Sequence, residues 1–327
     1  MREAWAADIE ARVGRFWTPE RTRGLLGDKQ LILPPAEHGP LLRAMGLLKA
    51  DGSMGPESVR KYMQISHMLT LLEPQLADLA AVHPEVRVLD LACGNSYLTF
   101  LLATSLRKRL RHPARILGVD RNARLIDACR ERAWRLFLDD TLRFEATLID
   151  RIELDSLWRS AFDAELPEPP VHLLVALHAC DTATDDALAL GLSLEVAAMA
   201  VVPCCQAELA RLWSGMTDGT CPSALAPVWQ WPHMRREAAA TLTDALRALL
   251  LEGCGYTAVP VEFVPSAHTP KNTMIRAVRT SDGSPEAFRD YLALRRSLGD
   301  PVLRLERVLP ERHRQHLQMA ADRLAAP

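Results

Sequence analysis

The sequence of 327 residues lacks the features that mark several large classes of protein. No apolar run approaches the ~20 residues that span a bilayer, so we expect no membrane partner. The N-terminal stretch MREAWAADIEARVGRFW mixes acids with arginines, which argues against a secretory signal. The cysteines number seven, and an odd count argues against a disulfide framework. These absences predict a cytoplasmic protein.

Lysine is scarce as well, and the basic residues are almost all arginine. The lysines are Lys29, Lys49, Lys61, Lys108 and Lys271. The net charge of −2 gives no global positive field for nucleic acid, so no DNA partner is expected. One basic cluster stands out, made of Arg107, Lys108, Arg109, Arg111, Arg115, Arg121, Arg124, Arg130, Arg132 and Arg135. This cluster is either a solvated helical surface or a patch that faces RNA.

Hydrophobic periodicity divides the chain into three parts. Residues 1–80 have apolar residues at three- and four-residue spacing, which predicts a helical N-terminal extension. Residues 81–280 alternate strands with helices, which predicts an α/β domain, and residues 281–327 return to helix as a C-terminal tail. We expect seven strands, of which the first five are parallel and the last two, YTAVPVEFV and NTMIRAVR, form an antiparallel edge hairpin.

The most informative segment is VLDLACGNSYLT, residues 88–99. An apolar strand ends in Asp90, the chain turns around Gly94, and a helix begins, which is how an α/β sheet builds a crevice for an adenosine-containing ligand. The next strand, RILGVD, ends in Asp120, whose carboxylate can accept hydrogen bonds from both ribose hydroxyls. The GxGxxG pattern of NAD sites is absent, and Asp120 lies beyond the roughly 20-residue spacing of a dinucleotide site. S-adenosylmethionine (SAM) therefore suits the crevice better, and methyl transfer is the predicted reaction.

The residues that follow successive strands form the predicted SAM site, because ligands of open α/β sheets lie beyond the carboxyl ends of the strands. Backbone N–H groups within residues 90–97 would bind the SAM carboxylate. Asp120 would bind the ribose, and Ile149 with Asp150 would contact the adenine. A lone aspartate after a strand is often only a turn or capping residue, but three in register are harder to dismiss. The predicted cofactor residues are Lys61, Asp90, Ala92, Cys93, Gly94, Asn95, Tyr97, Asp120, Arg121, Ile149, Asp150 and His178.

The fourth strand is followed by LHACDTATDDAL, at the position that would face the transferred methyl group. His178 can accept a proton at neutral pH and Asp181 can orient a substrate donor, so both are candidate catalytic residues. The alternative is structural, because Thr182 followed by Asp185 resembles a capping box and Asp181 would then also only cap the helix. His178 is likewise open to a structural hydrogen-bonding role.

The fifth strand is followed by VVPCCQ, and three interpretations of Cys204 and Cys205 stay open. They are small core or loop residues, or one of them is a nucleophile as in cytosine-C5 methylation, or they join His178 and Cys180 in a metal site. Their spacing does not match the usual zinc pattern, so no metal is predicted. Substrate contacts are predicted for Gln206, His268, Lys271 and Asn272.

Five separated motifs, LDLACGNSYLTF, LHACDTATD, VVPCCQ, LTDALR and HTPKN, occur in an order that resembles a known family. It is a family of bacterial SAM-dependent methyltransferases, which share a domain with glutathione S-transferase C-terminal-domain-containing proteins and with eukaryotic tRNA 2′-O-ribose methyltransferases. The resemblance covers about residues 58 to 280. It implies the Rossmann-like class I methyltransferase fold, SAM as donor and, through the tRNA-modifying relatives, RNA as acceptor.

The resemblance also extends to single residues and has two departures. The family's Lys-x-x-Gln-Ile element is matched by Lys61, Gln64 and Ile65, which would close over the methionine end of SAM. For Lys61 alone, a place on a solvated helix face is the favoured explanation. In the first turn, Ala92 and Asn95 stand where the family often has Gly and Lys, which would weaken SAM binding. The zinc-finger cysteines and histidines of the tRNA-modifying relatives have no counterpart before residue 90.

The sequence thus predicts a SAM-dependent methyltransferase that acts on RNA, at either a ribose hydroxyl or a base. A rival interpretation is the same enzyme acting on a small molecule or a protein. A third, from another class, is a SAM-binding regulator that does not catalyse methyl transfer.

Overall fold

The computed structural model describes residues 1–28, 31–177, 179–203, 205–216, 225–263 and 272–325. The chain folds into two compact units, Met1–Pro167 and Glu168–Pro327. The predicted domain boundaries near residues 80 and 280 stay predictions.

The first unit begins with four helices, as the periodicity of residues 1–80 predicts, and continues with alternating strands and helices. Its helices are α1 (Arg2–Phe16), α2 (Pro19–Leu26), α3 (Gly39–Ala44), α4 (Pro56–Val82), α5 (Tyr97–Thr104), α6 (Ala123–Arg135) and α7 (Leu154–Phe162). Its strands are β1 (Val86–Leu91), β2 (Ala114–Asp120) and β3 (Leu142–Ala146). A wider π-helical turn, Ser105–Arg109, extends α5, and a 3-10 turn, Ile149–Arg151, follows β3.

The second unit carries the remaining strands and ends in helices. Its strands are β4 (Leu173–Ala176), β5 (Ala198–Val201), β6 (Tyr256–Glu262) and β7 (Thr273–Arg279). Its helices are α8 (Thr182–Ser193), α9 (Glu208–Ser214), α10 (Ala226–Trp229), α11 (Pro232–Gly253), α12 (Pro285–Ser297), α13 (Arg304–Val308) and α14 (Glu311–Ala325). Helix α11 ends at Gly253, and Gly255 follows with a positive φ of 96°, as is common just after a helix end.

The strands of both units are mostly parallel, with antiparallel pairing only at β7, which confirms the predicted fold class. In the first unit the order is β3-β2-β1, and both neighbouring pairs are parallel. In the second unit the order is β4-β5-β7-β6, with β4 and β5 parallel. Strand β7 pairs antiparallel with both β5 and β6, so the predicted hairpin is present.

The parallel strands of the first unit form because their residues suit burial on both faces. All six residues of β1 are buried, as expected for a strand with helices on both sides. In β2, Gly118 lies opposite Asp90 on one side and Phe144 on the other. A Cβ at Gly118 would lie 2.5 Å from Cδ1 of Phe144, so only glycine lets this ring pack against β2.

Two parts of the chain are more regular than their sequence patterns indicate. Helix α7 buries Leu154 and Trp158, which lie one turn apart on one face. The stretch 206–234, which looks irregular in sequence, contains α9 and α10. Aromatic burial explains the order there, because Trp213 and Trp229 stack with ring centroids 5.0 Å apart.

Five of the ten basic residues in the cluster between residues 107 and 135 form ion pairs with acids. The ion pairs are Arg107–Asp140, Arg109–Glu73, Arg115–Glu85, Arg130–Glu145 and Arg135–Glu131. Such partly or fully exposed pairs each contribute little to stability, but they neutralise half of the positive charges of the cluster. This favours the interpretation as a solvated surface over that as an RNA-facing patch.

Within the described ranges, no helix combines the length and the apolar character that crossing a membrane requires.

Candidate cofactor and acceptor sites

The turn between β1 and α5 has an unusual backbone. Ala92, Gly94 and Ser96 all have positive φ angles, of 52°, 56° and 57°. The amide of Cys93 donates to the carbonyl of Val119 at 2.9 Å, which fixes the turn against the end of β2. Alternating left-handed residues turn successive N–H groups toward one concave side, an arrangement that binds anions.

The N-terminus of α5 adds further unpaired donors to this turn. Ser96 is the N-cap residue, and its side chain makes no capping hydrogen bond to the first turn. The first N–H groups of a helix have no partner inside the helix, and they carry the positive end of its dipole. The turn and the helix end therefore offer a carboxylate-sized anion a set of aligned donors.

Asp120, at the end of β2, holds this turn in place. Its Oδ2 accepts a hydrogen bond from the Gly94 amide at 2.9 Å, and its Oδ1 accepts one from the Asn122 amide at 2.8 Å. Each carboxylate oxygen has a second acceptor position, so Asp120 can still bind two hydroxyls. The structure thus brings together the first turn and the second acid, which the sequence placed 26 residues apart.

Asp90 is buried beneath the turn. The hydroxyl of Thr99 donates to its Oδ2, whereas Oδ1 is buried with no hydrogen-bond partner among the described groups. Burial, with a smaller contribution from Asp120, raises the pKa of Asp90 to about 7. An orphaned buried acceptor is costly, and a cationic or N–H-bearing ligand in this crevice would relieve that cost. The residues present therefore fit SAM, which carries an ammonium and a sulfonium.

Lys61 and Tyr97 meet at the entrance of the turn. The ammonium of Lys61, on α4, lies 3.7 Å from the ring centroid of Tyr97, the first residue of α5. This is a cation–π contact, and it places Lys61 beside the turn. The role predicted for Lys61 toward SAM stays a prediction.

Two thiols line the buried side of the turn. Cys93 is buried, and burial followed by the nearby Asp90 raises the pKa of its thiol. The Cys129 sulfur lies 3.4 Å from the Ser96 hydroxyl and 3.6 Å from the Gly94 carbonyl, and burial raises its pKa too. Neither thiol has the exposure or the low pKa of a nucleophile.

The remaining predicted cofactor residues lie at the surface of the first unit. Asn95, Arg121 and Asp150 are exposed, and Ile149 is half-buried in the turn after β3. The backbone of Asn95 is fixed, because its carbonyl accepts a hydrogen bond from Arg132 at 3.1 Å. The roles predicted for these side chains stay predictions.

Asp181, a candidate catalytic residue, acts as a helix cap in the second unit. Its Oδ1 accepts from the amides of Ala207 and Glu208 at 2.9 and 3.1 Å, and its Oδ2 binds Arg211 at 2.6 Å. Burial raises its pKa, but the hydrogen bonds from Ala207 and Arg211 outweigh burial and hold the pKa below the usual range. The capping hypothesis is thus favoured, with the difference that Asp181 caps α9 rather than its own helix α8.

Asp185, the other acid assigned to the capping box, belongs to a buried charge network. The guanidinium of Arg247 binds both carboxylate oxygens of Asp185, at 2.9 and 2.8 Å, and one oxygen of Asp244, at 3.1 Å. The side-chain amide of Gln206 donates to the other oxygen of Asp244 at 2.7 Å. The network therefore joins the motifs LHACDTATD, LTDALR and VVPCCQ, although they lie far apart in sequence.

Several acceptor-side predictions lie outside the described residues. They are His178, Cys204, His268 and Lys271. Cys205 and Asn272 are half-buried, and the Asn272 amide donates to Glu262 at 2.6 Å. Among the described residues, no group of three or more His, Cys, Asp or Glu side chains is arranged to hold a metal ion.

Residues 60–212 match the protein family described as a methyltransferase domain. The matched region is slightly less than half of the chain and includes Lys61, the first turn, Asp120 and Gln206. Together with the strands and the turn described above, this match supports SAM-dependent methyl transfer as the reaction of this region.

The individual relatives are more distant. The chain is 33% identical over 106 residues to the 23S rRNA (uracil(1939)-C(5))-methyltransferase RlmD of Xanthomonas campestris pv. campestris, covering 32% of this chain. It is 36% identical over 97 residues to the same enzyme of Alkalilimnicola ehrlichii, covering 29% of this chain. Both matches span only 20% of the relative's length.

Solved structures show a similar arrangement at low identity. The magnesium protoporphyrin IX methyltransferase of Synechocystis PCC 6803, crystallised with SAM, is 13% identical with a TM-score of 0.39, covering 74% of this chain and 90% of its own. A putative rRNA methylase from Clostridium thermocellum is 14% identical with a TM-score of 0.37, covering 65% and 97%. Likeness of this degree carries no information about the substrate.

Replacing Ala92 with glycine is expected to stabilise the protein by about 1 kcal/mol, because a left-handed φ costs an L-residue with a Cβ roughly 1–2 kcal/mol. The same change should tighten SAM binding if the Cβ hinders the ligand. Chemical denaturation and calorimetric titration with SAM measure the two effects. The matched control is Ala103→Gly inside α5, which should lower stability by about 1 kcal/mol. A loss of stability in Ala92→Gly would contradict the strain argument.

Proposed function

We propose that this methyltransferase acts on RNA. The observation that carries the proposal is the sequence match to rRNA methyltransferases, at 33% identity over 106 residues. The resemblance to tRNA 2′-O-ribose methyltransferases supports the same class of acceptor. The two groups of relatives modify different atoms, so the proposal extends to RNA and leaves the choice between base and ribose to experiment.

In this proposal the first unit holds SAM. The N–H groups of the Ala92–Ser96 turn and of the α5 N-terminus bind its carboxylate, and Asp120 accepts from its ribose hydroxyls. The carboxylate of Asp90 compensates the positive charge of SAM, and Asp150 accepts a hydrogen bond from the adenine amino group. Lys61 and Tyr97 cover the methionine end.

SAM supplies an activated methyl group, and the protein aligns the two reactants and provides a group that accepts the proton. Methyl transfer needs in-line alignment, which rigid binding of the ribose and carboxylate by Asp120 and the turn provides. A neutral oxygen or nitrogen acceptor must also lose a proton, and His178 is the residue we propose to take it. If the acceptor is instead a pyrimidine carbon, Cys204 or Cys205 is the nucleophile to test.

The decisive experiment is incubation with methyl-labelled SAM and separated RNA, protein and small-molecule fractions of a bacterial extract. We expect label in RNA, and none when Asp120→Ala protein is used. Label confined to protein or small molecules would overturn the RNA assignment. SAM binding without label in any fraction would instead support a SAM-binding regulator.

A further inference from the structure

A large cavity opens within the second unit. Its volume is about 920 Å³, and it is lined by the loop after β5, by α9, by the first half of α11 and by the start of β7. Small-molecule sites usually have volumes of about 300–1,000 Å³, so this cavity has room for a whole nucleotide.

The cavity carries a local excess of positive charge. Arg235 and Arg236, near the N-terminal end of α11, line it, and the ion pairs of the described ranges include neither. Arg235 donates from Nη1 to the Trp229 carbonyl at 2.9 Å, whereas its Nε is buried without an acceptor. The acid that remains to balance this charge is Glu237, because the carboxylate of Asp244 is already paired with Arg247.

Gln206 adds an oriented acceptor to the same cavity. A carboxylate only accepts hydrogen bonds, so the contact at 2.7 Å with Asp244 fixes the amide with Nε2 toward Asp244. Its carbonyl oxygen Oε1 is then available to an N–H or O–H of a ligand. Arg247 clamps Asp244 through the buried network, so this orientation is held before any ligand arrives.

We propose that this cavity binds one unpaired nucleotide of the RNA acceptor, with its phosphate on Arg235 and Arg236 and a base N–H or the 2′-hydroxyl on Gln206. The guanidinium fork matches phosphate oxygens, and single-stranded RNA offers splayed nucleotides whose edges and 2′-hydroxyls are open to contact. The inference rests on RNA as the acceptor, but it concerns binding by the second unit alone.

The test is equilibrium binding of nucleoside 5′-monophosphates and short single-stranded RNA to the full chain, without SAM. Arg236→Ala should weaken binding of both about tenfold and reduce the salt dependence of RNA binding. The control is Arg296→Ala, which removes an exposed arginine of α12 that does not line the cavity and should leave both unchanged. Because Arg236 is exposed, its removal should not alter thermal unfolding, which verifies folding.

Three results would overturn the inference: equal binding by Arg236→Ala and the unchanged protein, nucleosides binding as well as their monophosphates, or a simple dicarboxylate binding as well as a nucleotide. Failure of the proposed function has a different signature. In that case nucleotides would bind in an Arg236-dependent way although no methyl label enters RNA. If RNA is labelled but Arg236→Ala binds nucleotides as well as the unchanged protein does, only this inference is removed.

Discussion

Replacing Arg247 with leucine is expected to lower the free energy of unfolding by about 3–5 kcal/mol. The guanidinium is buried and satisfies two buried carboxylates, so its loss leaves Asp185 and Asp244 desolvated and unpaired. Urea denaturation measures the effect. The control Arg296→Leu removes an exposed arginine of the same unit and should change stability little. A loss below about 1 kcal/mol for Arg247→Leu would show that the network contributes little to the fold.

The same variant should show a definite pH dependence. Burial raises the pKa values of Asp185 and Asp244, and Arg247 opposes this rise. Without Arg247 the folded-state pKa values rise further above the unfolded ones. A carboxyl with a raised folded pKa favours folding when protonated, and that contribution is lost as pH rises from its unfolded toward its folded pKa. The destabilisation should therefore be smallest in acid and largest at neutral pH, and the opposite trend would contradict the assignment.

Replacing Asp120 with alanine is expected to weaken SAM binding at least about 100-fold. Two hydroxyl contacts to a carboxylate would disappear, each contributing about 1.5–3 kcal/mol, and 1.4 kcal/mol corresponds to a factor of ten. The Gly94 and Asn122 amides would also lose their acceptor, so the turn itself would loosen. Isothermal calorimetry measures the affinity.

The matched control for this change is Asp127→Ala. Asp127 is an exposed acid on α6 that pairs with Arg130 at 3.2 Å, so its removal should leave SAM affinity unchanged. If Asp120→Ala retains SAM affinity while remaining folded, the cofactor must bind elsewhere.

The turn between β1 and α5 and its neighbour Asp120 were predictable because their signals are local in sequence. Asp90 and Asp120 each follow an apolar strand directly, and parallel strands bring their carboxyl ends to one edge of the sheet. The hydrogen bond from the Gly94 amide to Asp120 is the structural expression of that rule. The left-handed backbone of Ala92 was not predictable, because alanine has no preference for a positive φ that would signal it.

The charge network was not predictable from the pattern. Asp185 lies three residues after Thr182, and this local spacing resembles a capping box, whereas its partner Arg247 is 62 residues away. Local signals report helix ends and strand ends, but pairing across 62 residues is decided by packing. Asp181 shows the same limit, because it caps a helix that begins 27 residues later.

The buried thiols of Cys93 and Cys129 allow the opening of the turn between β1 and α5 to be measured by chemical modification. A thiol reacts with alkylating reagents as thiolate, and burial both shields these sulfurs and disfavours that form. Alkylation therefore requires a local opening that exposes the thiols, and its rate reports how often this opening occurs. A ligand that bridges Gly94 and Asp120 would slow this alkylation, so binding at the turn can be followed through the protein's own thiols.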